Sequence, residues 1–574
     1  MSHRILPWAA AMLGLWTMFP SVPEPLSATP RPALRQQRSR TATSAFRFED
    51  VTARSGLADF TLTSRGSQDQ PLPVMGGGLG LIDYNNDGWV DIFLVNGSTI
   101  DLERSRNNDA SDRLYRNNGN GTFTDVTRQA GLWEHRWGMG VSVADVDNNG
   151  FDDLFVTNFG QSALYLNRGD GTFTDSTLES GFYEARWWLG SAFGDFDNDG
   201  DVDLYVSSYL PVMRSDLELR MYPRLSLSWR GAPKRSNNAL YENIGGGRFR
   251  DVTRRSGVGS VTQYNSLGVM WLDYNNDGKL DIYVANDESP NYLLRNNGNN
   301  TFTDIAELSG VAVDNAGYPK GGMGVDAGDY NNDGTLDIVV TNFAEEYNTI
   351  YKNLGDVFTD ATDPITSTAS YPSIGWGTKL ADFDTDGYLD WIVVNGHLPQ
   401  MKDVSDHQPT LLFQNISGRG FKDVSLNSGL DVATKRLDRG LAVGDLNNDG
   451  LPDVLKLALN DTPMLFINRS SRGNWLGIKL RGTRSNRSAI GARVSATSGS
   501  LRQVREVKSG DSYLSQSDLR VHFGLGLHTQ VDELMIRWPS GTVQKLANVG
   551  VNRIIEVQEP RTDSPRRIQP RVGK

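Results

Sequence analysis

The chain has 574 residues, with 69 Asp and Glu against 57 Lys and Arg for a formal net charge of −12, and no cysteine. That length calls for two or more domains or one large repeat array. The missing thiols exclude disulfides, thiol catalysis and a lipidated N-terminal cysteine, and an acidic chain argues against nucleic acid as a partner.

Residues 1–28 read as a signal peptide, with a basic start, an apolar run over 5–19 and then Pro20. The run is short for a membrane span, so no stable membrane insertion is expected once it is removed. Residues 29–45, within a Pro-, Arg- and Ser-rich stretch, read as a flexible linker. A secreted or periplasmic location follows from this start.

Seven times thereafter the chain repeats one acidic loop in one register, with oxygen-bearing side chains at offsets 0, 2, 4 and 8 and Gly at offset 5. The first loop carries Asp83, Asn85, Asp87 and Asp91; the second Asp145, Asp147, Asn149 and Asp153; the third Asp195, Asp197, Asp199 and Asp203. The fourth carries Asp273, Asn275, Asp277 and Asp281; the fifth Asp329, Asn331, Asp333 and Asp337. The sixth carries Asp382, Asp384, Asp386 and Asp390, and the seventh Asp445, Asn447, Asp449 and Asp453. Alternate residues of a tight loop aim their oxygens inward, and an all-oxygen set suits calcium, up to seven ions in all. Nitrogen and sulfur ligands are missing, which argues against zinc and copper. An EF-hand needs a Glu at offset 11, where this chain has Leu94, Val156 and Val340, and the flanks are β-like. A single copy would pass as an Asp-Gly turn; seven in register do not. Of the formal negative charge, 23 carboxylates sit at these offsets, so the acidity is concentrated in the loops.

Other signals keep step with the loops. A Gly lies five residues before each, at Gly78, Gly140, Gly190, Gly268, Gly324, Gly377 and Gly440. After each loop come a strand, a second one such as Leu114-Tyr-Arg-Asn117, a Gly/Asn turn and a third element such as Phe123-Thr-Asp-Val-Thr127. Each repeat is therefore four strands with the acidic loop in its first hairpin, which predicts an all-β chain whose residues 46–470 form a seven-bladed β-propeller. The repeated Gly suits an innermost strand crowded by its neighbours at the axis. The seventh repeat lacks its last strand, and the spare copy, Phe48-Glu-Asp-Val-Thr52, lies at the N-terminal end. That strand is expected to close the ring and remove the exposed edges. Residues 471–558 alternate apolar and polar with Gly-rich turns, as a small β-sandwich-like domain would, and 559–574 read as a disordered tail.

Strand direction puts the acidic loops on one face. Long loops near 97–112, 209–238 and 396–409 share the opposite face with the inter-blade segments. There His135, Arg136, Trp137, Arg186, Trp187, Trp188, Tyr318, Lys320, Trp376 and Arg439 converge on the axis mouth and would suit a sugar or carboxylated ligand.

The repeats resemble FG-GAP/VCBS repeats, the calcium-loop blades of integrin α-subunit heads. Asn474-Trp-Leu-Gly, Ile490-Gly-Ala-Arg-Val, Gly510-Asp-Ser-Tyr-Leu-Ser-Gln516, His522-Phe-Gly-Leu-Gly526 and Trp538-Pro-Ser-Gly541 resemble the ASPIC/UnbV domain. Propeller then ASPIC/UnbV is the order of the cartilage acidic protein family, and the lack of cysteines resembles its bacterial-type members. The resemblance names no reaction, and neither a Gly-x-Ser-x-Gly elbow nor a His-Glu-x-x-His pattern occurs. The expectation is an exported calcium-binding scaffold for recognition or adhesion, with an extracellular glycan or protein as ligand. The alternative is a calcium-dependent enzyme acting on polysaccharide or another extracytoplasmic substrate in the propeller mouth.

Overall fold

The computed structural model describes residues 46–64, 72–98, 110–133, 135–210, 237–398, 408–430 and 436–561. The expected signal peptide and linker lie outside these residues, as do most of the three long loops and the tail beyond residue 561. Among the described residues no helix is long and apolar enough to cross a membrane.

The strands pair antiparallel into seven four-stranded units. The first unit holds Leu79–Ile82, Asp91–Leu94, Arg113–Asn117 and Phe123–Asp125 in that spatial order. The inner strands are covered on both sides, so they read as near-continuous apolar runs, Leu-Gly-Leu-Ile and Asp-Ile-Phe-Leu. The outer strand Phe-Thr-Asp buries only its Phe. In the seventh unit the outer strand comes from the other end of the chain. Phe48 pairs with Asn468, Glu49 with Ile467 and Asp50 with Phe466, and Phe46, Phe48 and Val51 are buried in the seam. The second and third units are joined further where Ala185–Trp187 pairs with Phe159–Gln161.

One polar device repeats in all seven units. The Asp at loop offset 8 is buried, and one of its oxygens accepts the backbone N–H of the Asn that ends the third strand, at 2.6–2.9 Å. Those residues are Asn117, Asn167, Asn243, Asn296, Asn353, Asn415 and Asn468. The amide of each donates to a carbonyl in the preceding unit's loop, at 2.7–2.9 Å. Asn167 reaches Tyr84, Asn468 reaches Phe383, and Asn117 closes the ring by reaching Leu446.

Residues 474–558 form two facing sheets. One is Val521–Gly526, Asn474–Arg481 and Arg553–Gln558; the other is Leu501–Glu506, Arg493–Ser498, Gln530–Arg537 and Val543–Gly550. Their core, including Leu476, Ile478, Val494, Leu534 and Trp538, is continuous with that of the second and third units through Phe155, Phe193 and Leu204.

Deleting residues 46–52 should open the seventh unit. It removes three buried apolar side chains, each contributing about 1.5–3 kcal/mol, and leaves Met464–Asn468 as a bare edge. The truncated protein should melt lower and aggregate; equal solubility and an unchanged melting temperature would show that the N-terminal strand does not hold the ring.

Candidate functional site

Each acidic loop is shaped by its own backbone amides. The Asp at offset 0 accepts the N–H of the Gly at offset 5, as Asp145 does from Gly150 at 2.6 Å and Asp445 from Gly450 at 2.8 Å. The residue at offset 4 accepts from offset 6, as Asp199 does from Asp201 at 2.9 Å. Two positions per loop take the left-handed conformation. One is the Gly at offset 5, with φ from 84° to 99°; the other is offset 3, with φ from 55° to 60°, which is Asn in six loops and Thr385 in the sixth. Asn tolerates that region, whereas the β-branched Thr385 is an outlier there. The Asn side chain at offset 3 also bridges to the next loop: Asn86 donates to the Gly150 carbonyl, Asn148 to Gly200, Asn332 to Gly387 and Asn448 to Gly88.

In three loops the carboxylates converge with oxygens within 4.8 Å of one another: Asp145, Asp147 and Asp153; Asp195, Asp197 and Asp199; Asp382, Asp384 and Asp390. Asp145 Oδ1, Asp197 Oδ1 and Asp384 Oδ1 are buried there without a hydrogen-bond partner. Burial, reinforced by neighbouring carboxylates, pushes Asp145 and Asp195 up to about 7. Asp91 and Asp337 rise to about 8, chiefly through burial. Orphaned carboxylate oxygens packed this closely fit an oxygen-coordinated cation.

The loop face is covered. The C-terminal domain touches every loop, mostly through cations and backbone. Lys479 Nζ lies 2.8 Å from Asp83 Oδ2. Arg481 donates to Asn86 and to the Gly150 carbonyl, Arg493 to that of Gly334 and Arg520 to that of Asp445. Arg537 donates to the Asn276 carbonyl. His522 Nε2 bonds the Gly450 carbonyl at 2.9 Å, and burial pulls this imidazole down to about 4. The third loop meets it at Gly200, against the Arg484 carbonyl. Gly524 packs so tightly on the sixth loop that a Cβ there would lie 1.9 Å from Asp382 Oδ2.

From this domain the segment 507–517 runs down the axis. Ser512 and Val325 exchange backbone hydrogen bonds, Val141 donates to the Leu514 carbonyl, and Leu81 donates to that of Gln516. Ser509 donates to the Val143 carbonyl, and Ser512 Oγ accepts from Thr378 N. A Cβ on Gly78 would lie 1.6 Å from the Leu514 carbonyl oxygen. So this glycine is crowded by the inserted segment, while Gly324 is crowded by the next unit, against Trp376 O at 2.1 Å. A buried charge quartet sits beside the segment: Lys379 pairs with Asp511 and with Asp326 at 3.4 Å, and Lys508 pairs with Asp326.

The ten residues expected to line the far mouth divide accordingly. Trp137, Trp187, Trp188, Lys320, Trp376 and Arg439 are buried. Tyr513, fully buried at the tip of the inserted segment, donates to the Met75 carbonyl at 3.1 Å and meets Trp376 edge-on at 4.9 Å. Arg439 lies 3.9 Å over the Trp376 ring and donates to the Val74 and Gly396 carbonyls. Lys320 donates to the Tyr347 carbonyl and Thr349. Those six are packing partners, not an open mouth. Tyr318 is 69% exposed, His135 is exposed, and Arg136 and Arg186 are half-buried, paired with Asp175 and Glu184.

The matched family profiles agree with this layout. The FG-GAP-like repeat profile matches residues 83–156, 145–206, 229–284, 273–340 and 329–393, and the ASPIC and UnbV profile matches 482–564. Cartilage acidic protein 1 of Mus musculus is 29% identical over 326 residues, 55% of this chain and 48% of its own length. The Homo sapiens protein is 28% identical over 326 residues, 55% and 47% of the two lengths. The chain thus spans about half the length of the curated relatives it matches. Among solved structures, the BP39L lectin from Burkholderia pseudomallei aligns with a TM-score of 0.45 at 10% identity, covering 69% of this chain and 97% of that one. YCF48 bound to D1 peptide aligns at 0.40 and 8% identity, covering 73% and 94%.

Gly524→Ala should unseat the C-terminal domain, since its new methyl collides with Asp382 and the Thr385 backbone. Limited proteolysis should then cut within 507–517. Tyr513→Ala should instead cost about 3–5 kcal/mol in a denaturant melt, as the loss of a buried aromatic does. Protease resistance equal to the parent in Gly524→Ala would contradict the docking described.

Proposed function

The chain belongs to the proteins in which FG-GAP repeats are followed by an ASPIC/UnbV domain, and on that premise we propose that it is an exported, calcium-braced scaffold for recognition or adhesion. The observation that carries the proposal is the convergence of buried carboxylates in loops repeated around one ring. Calcium would be held at offsets 0, 2, 4 and 8 of each loop, with Asp145, Asp147 and Asp153, Asp195, Asp197 and Asp199, and Asp382, Asp384 and Asp390 as the best-assembled sets. The ion supplies charge neutralisation that water cannot give inside a covered loop. The chain's own residues then keep the loops in register through the Asp–Asn network and cover them with a basic domain.

With the loop face occupied by that domain and the axis filled, a glycan or protein ligand would meet the opposite rim. Its accessible members of the expected set are His135, Arg136, Arg186 and Tyr318. Aromatic faces and guanidinium groups suit a sugar or an acidic group. Screening calcium-loaded protein on a glycan array and against secreted proteins tests this. Arg136→Ala, Arg186→Ala and Tyr318→Ala should together abolish any binding found and leave the melting temperature within a few degrees; undiminished affinity would place the ligand elsewhere.

Calcium removal is expected to be severe. Each tenfold excess of calcium over a site's dissociation constant contributes about 1.4 kcal/mol, and at about 2–4 °C per kcal/mol the loss over several sites is on the order of ten degrees or more. Protein stripped to zero metal by elemental analysis that melts within a few degrees of the loaded form would refute the bracing role.

The pH dependence should change sign with metal. Without it, Asp145 and Asp195 near 7 and Asp91 and Asp337 near 8 lie above their unfolded value of about 4. Carboxylates raised in this way favour the fold fully below about pH 4, and that contribution is lost as pH rises through 7 and 8. Stripped protein should therefore melt lower at pH 8 than at pH 5, and the stabilisation added by calcium should be larger at pH 8. Parallel pH profiles with and without calcium would refute this.

A further inference from the structure

The seven loops differ in a correlated way. Loops two, three and six carry Asp at offset 2, namely Asp147, Asp197 and Asp384; the other four carry Asn. The same three loops bring three carboxylates within 4.8 Å of one another, and each holds one buried carboxylate oxygen with no partner. Among the described residues none of their ligand carboxylates has a cation within ion-pair distance, although the buried Arg505 guanidinium acts on Asp382 from further away. In each of the other four, a side-chain cation stands against a loop carboxylate. Lys479 is 2.8 Å from Asp83 in the first, Lys279 2.8 Å from Asp277 in the fourth, Lys352 3.4 Å from Asp333 in the fifth and Arg469 3.7 Å from Asp449 in the seventh. Asp281 Oδ2 is the one unpartnered carboxylate oxygen in this second group, and it faces the Tyr274 amide.

We infer that the loops form two classes of calcium site: three tight ones at Asp145, Asp195 and Asp382, and four weaker ones in which a lysine or arginine of the chain already neutralises part of the loop. This rests on the calcium reading above. Affinity at such sites follows the count of ligand charges and the rigidity of the loop. By charge count loops three and six lead with four carboxylates; loop two, with Asn149 at offset 4, has three like the second group, and differs from it in that an ion entering the second group meets a resident cation. The four are not equal. Lys279, Lys352 and Arg469 are more than a third exposed or close to it, so their pairs are weakened by water. Lys479 belongs to the C-terminal domain, is a quarter exposed, and lies 3.3 Å from Asn86 Oδ1 as well as 2.8 Å from Asp83. Its ammonium stands where a cation at Asp83 would be drawn, which makes the first loop the weakest site.

The test is a calcium titration of the stripped full-length chain against a competing chelator indicator, with bound metal counted by elemental analysis. Three ions should bind on the order of tenfold more tightly than the rest. Asp147→Asn, Asp197→Asn and Asp384→Asn should each lower the tight count from three to two. Lys479→Gln should strengthen one weak site by on the order of tenfold, while Lys279→Gln should change little. Seven equivalent sites, a tight count other than three, or Asp→Asn variants that keep three tight ions would overturn the division and leave the calcium reading standing. No bound calcium at all would instead remove the reading on which the division rests.

Discussion

Everything in this protein hangs on a carboxylate that scarcely touches water. At offset 8 of each loop an Asp is sealed between the second and third strands and satisfied by backbone amides, from the third-strand Asn and, in six units, from offset 1 of its own loop. A buried carboxyl group held by amides is stable only while every donor stays in place, and losing one leaves the group unpaired at a cost of about 1–3 kcal/mol. The same Asn then bonds across to the preceding unit. Strand pairing within a blade, spacing between blades and the aim of the acidic loop are therefore one network. Were it slack, the loops would not present their oxygens on a common face and the C-terminal domain would have no regular surface to read.

That domain reads it by charge and by close approach. Lys479 and Arg481 lie two residues apart on one strand and so share a face, which points at the first two loops. The glycines of His522-Phe-Gly-Leu-Gly526 let its backbone lie against the sixth loop. The buried quartet of Asp326, Lys379, Lys508 and Asp511 is better understood as fixing register than as adding stability, because desolvating four charges offsets most of their attraction. A slip of the inserted segment by one residue would leave buried charges unpaired. Segment and ring are thus matched at one setting.

Much of this was legible in the sequence, and the limits were physical. Repeats of a loop with strict offsets showed the four-stranded propeller units and the acidic sites, because periodicity survives without any knowledge of packing. Phe48-Glu-Asp-Val-Thr52 revealed the closing strand for the same reason, as a repeat out of place. The Asn ending each third strand was visible as a recurrent letter, but its amide bond to the neighbouring unit depends on distances between blades that no linear pattern encodes. The far-mouth cluster misled because aromatic and basic residues converging on an axis look alike whether the axis is open or filled. What filled it, Gly510 to Gln516, is mostly small and polar, and nothing local marks it as core. Its hydrogen-bond partners in the ring lie 132 to 438 residues away. A usable hint was charge: an acidic array followed by a domain with cations on alternate strand positions.

The axial segment also bears on how the ring acquires its size. Residues 507–517 contact innermost strands all round the bore, and glycines such as Gly78 leave no slack against them. An insert of fixed girth works as a gauge. A ring with one blade more would be too wide to grip it, and one with a blade fewer would not admit it. Duplication or loss of a single repeat would thus be checked by a domain encoded outside the array.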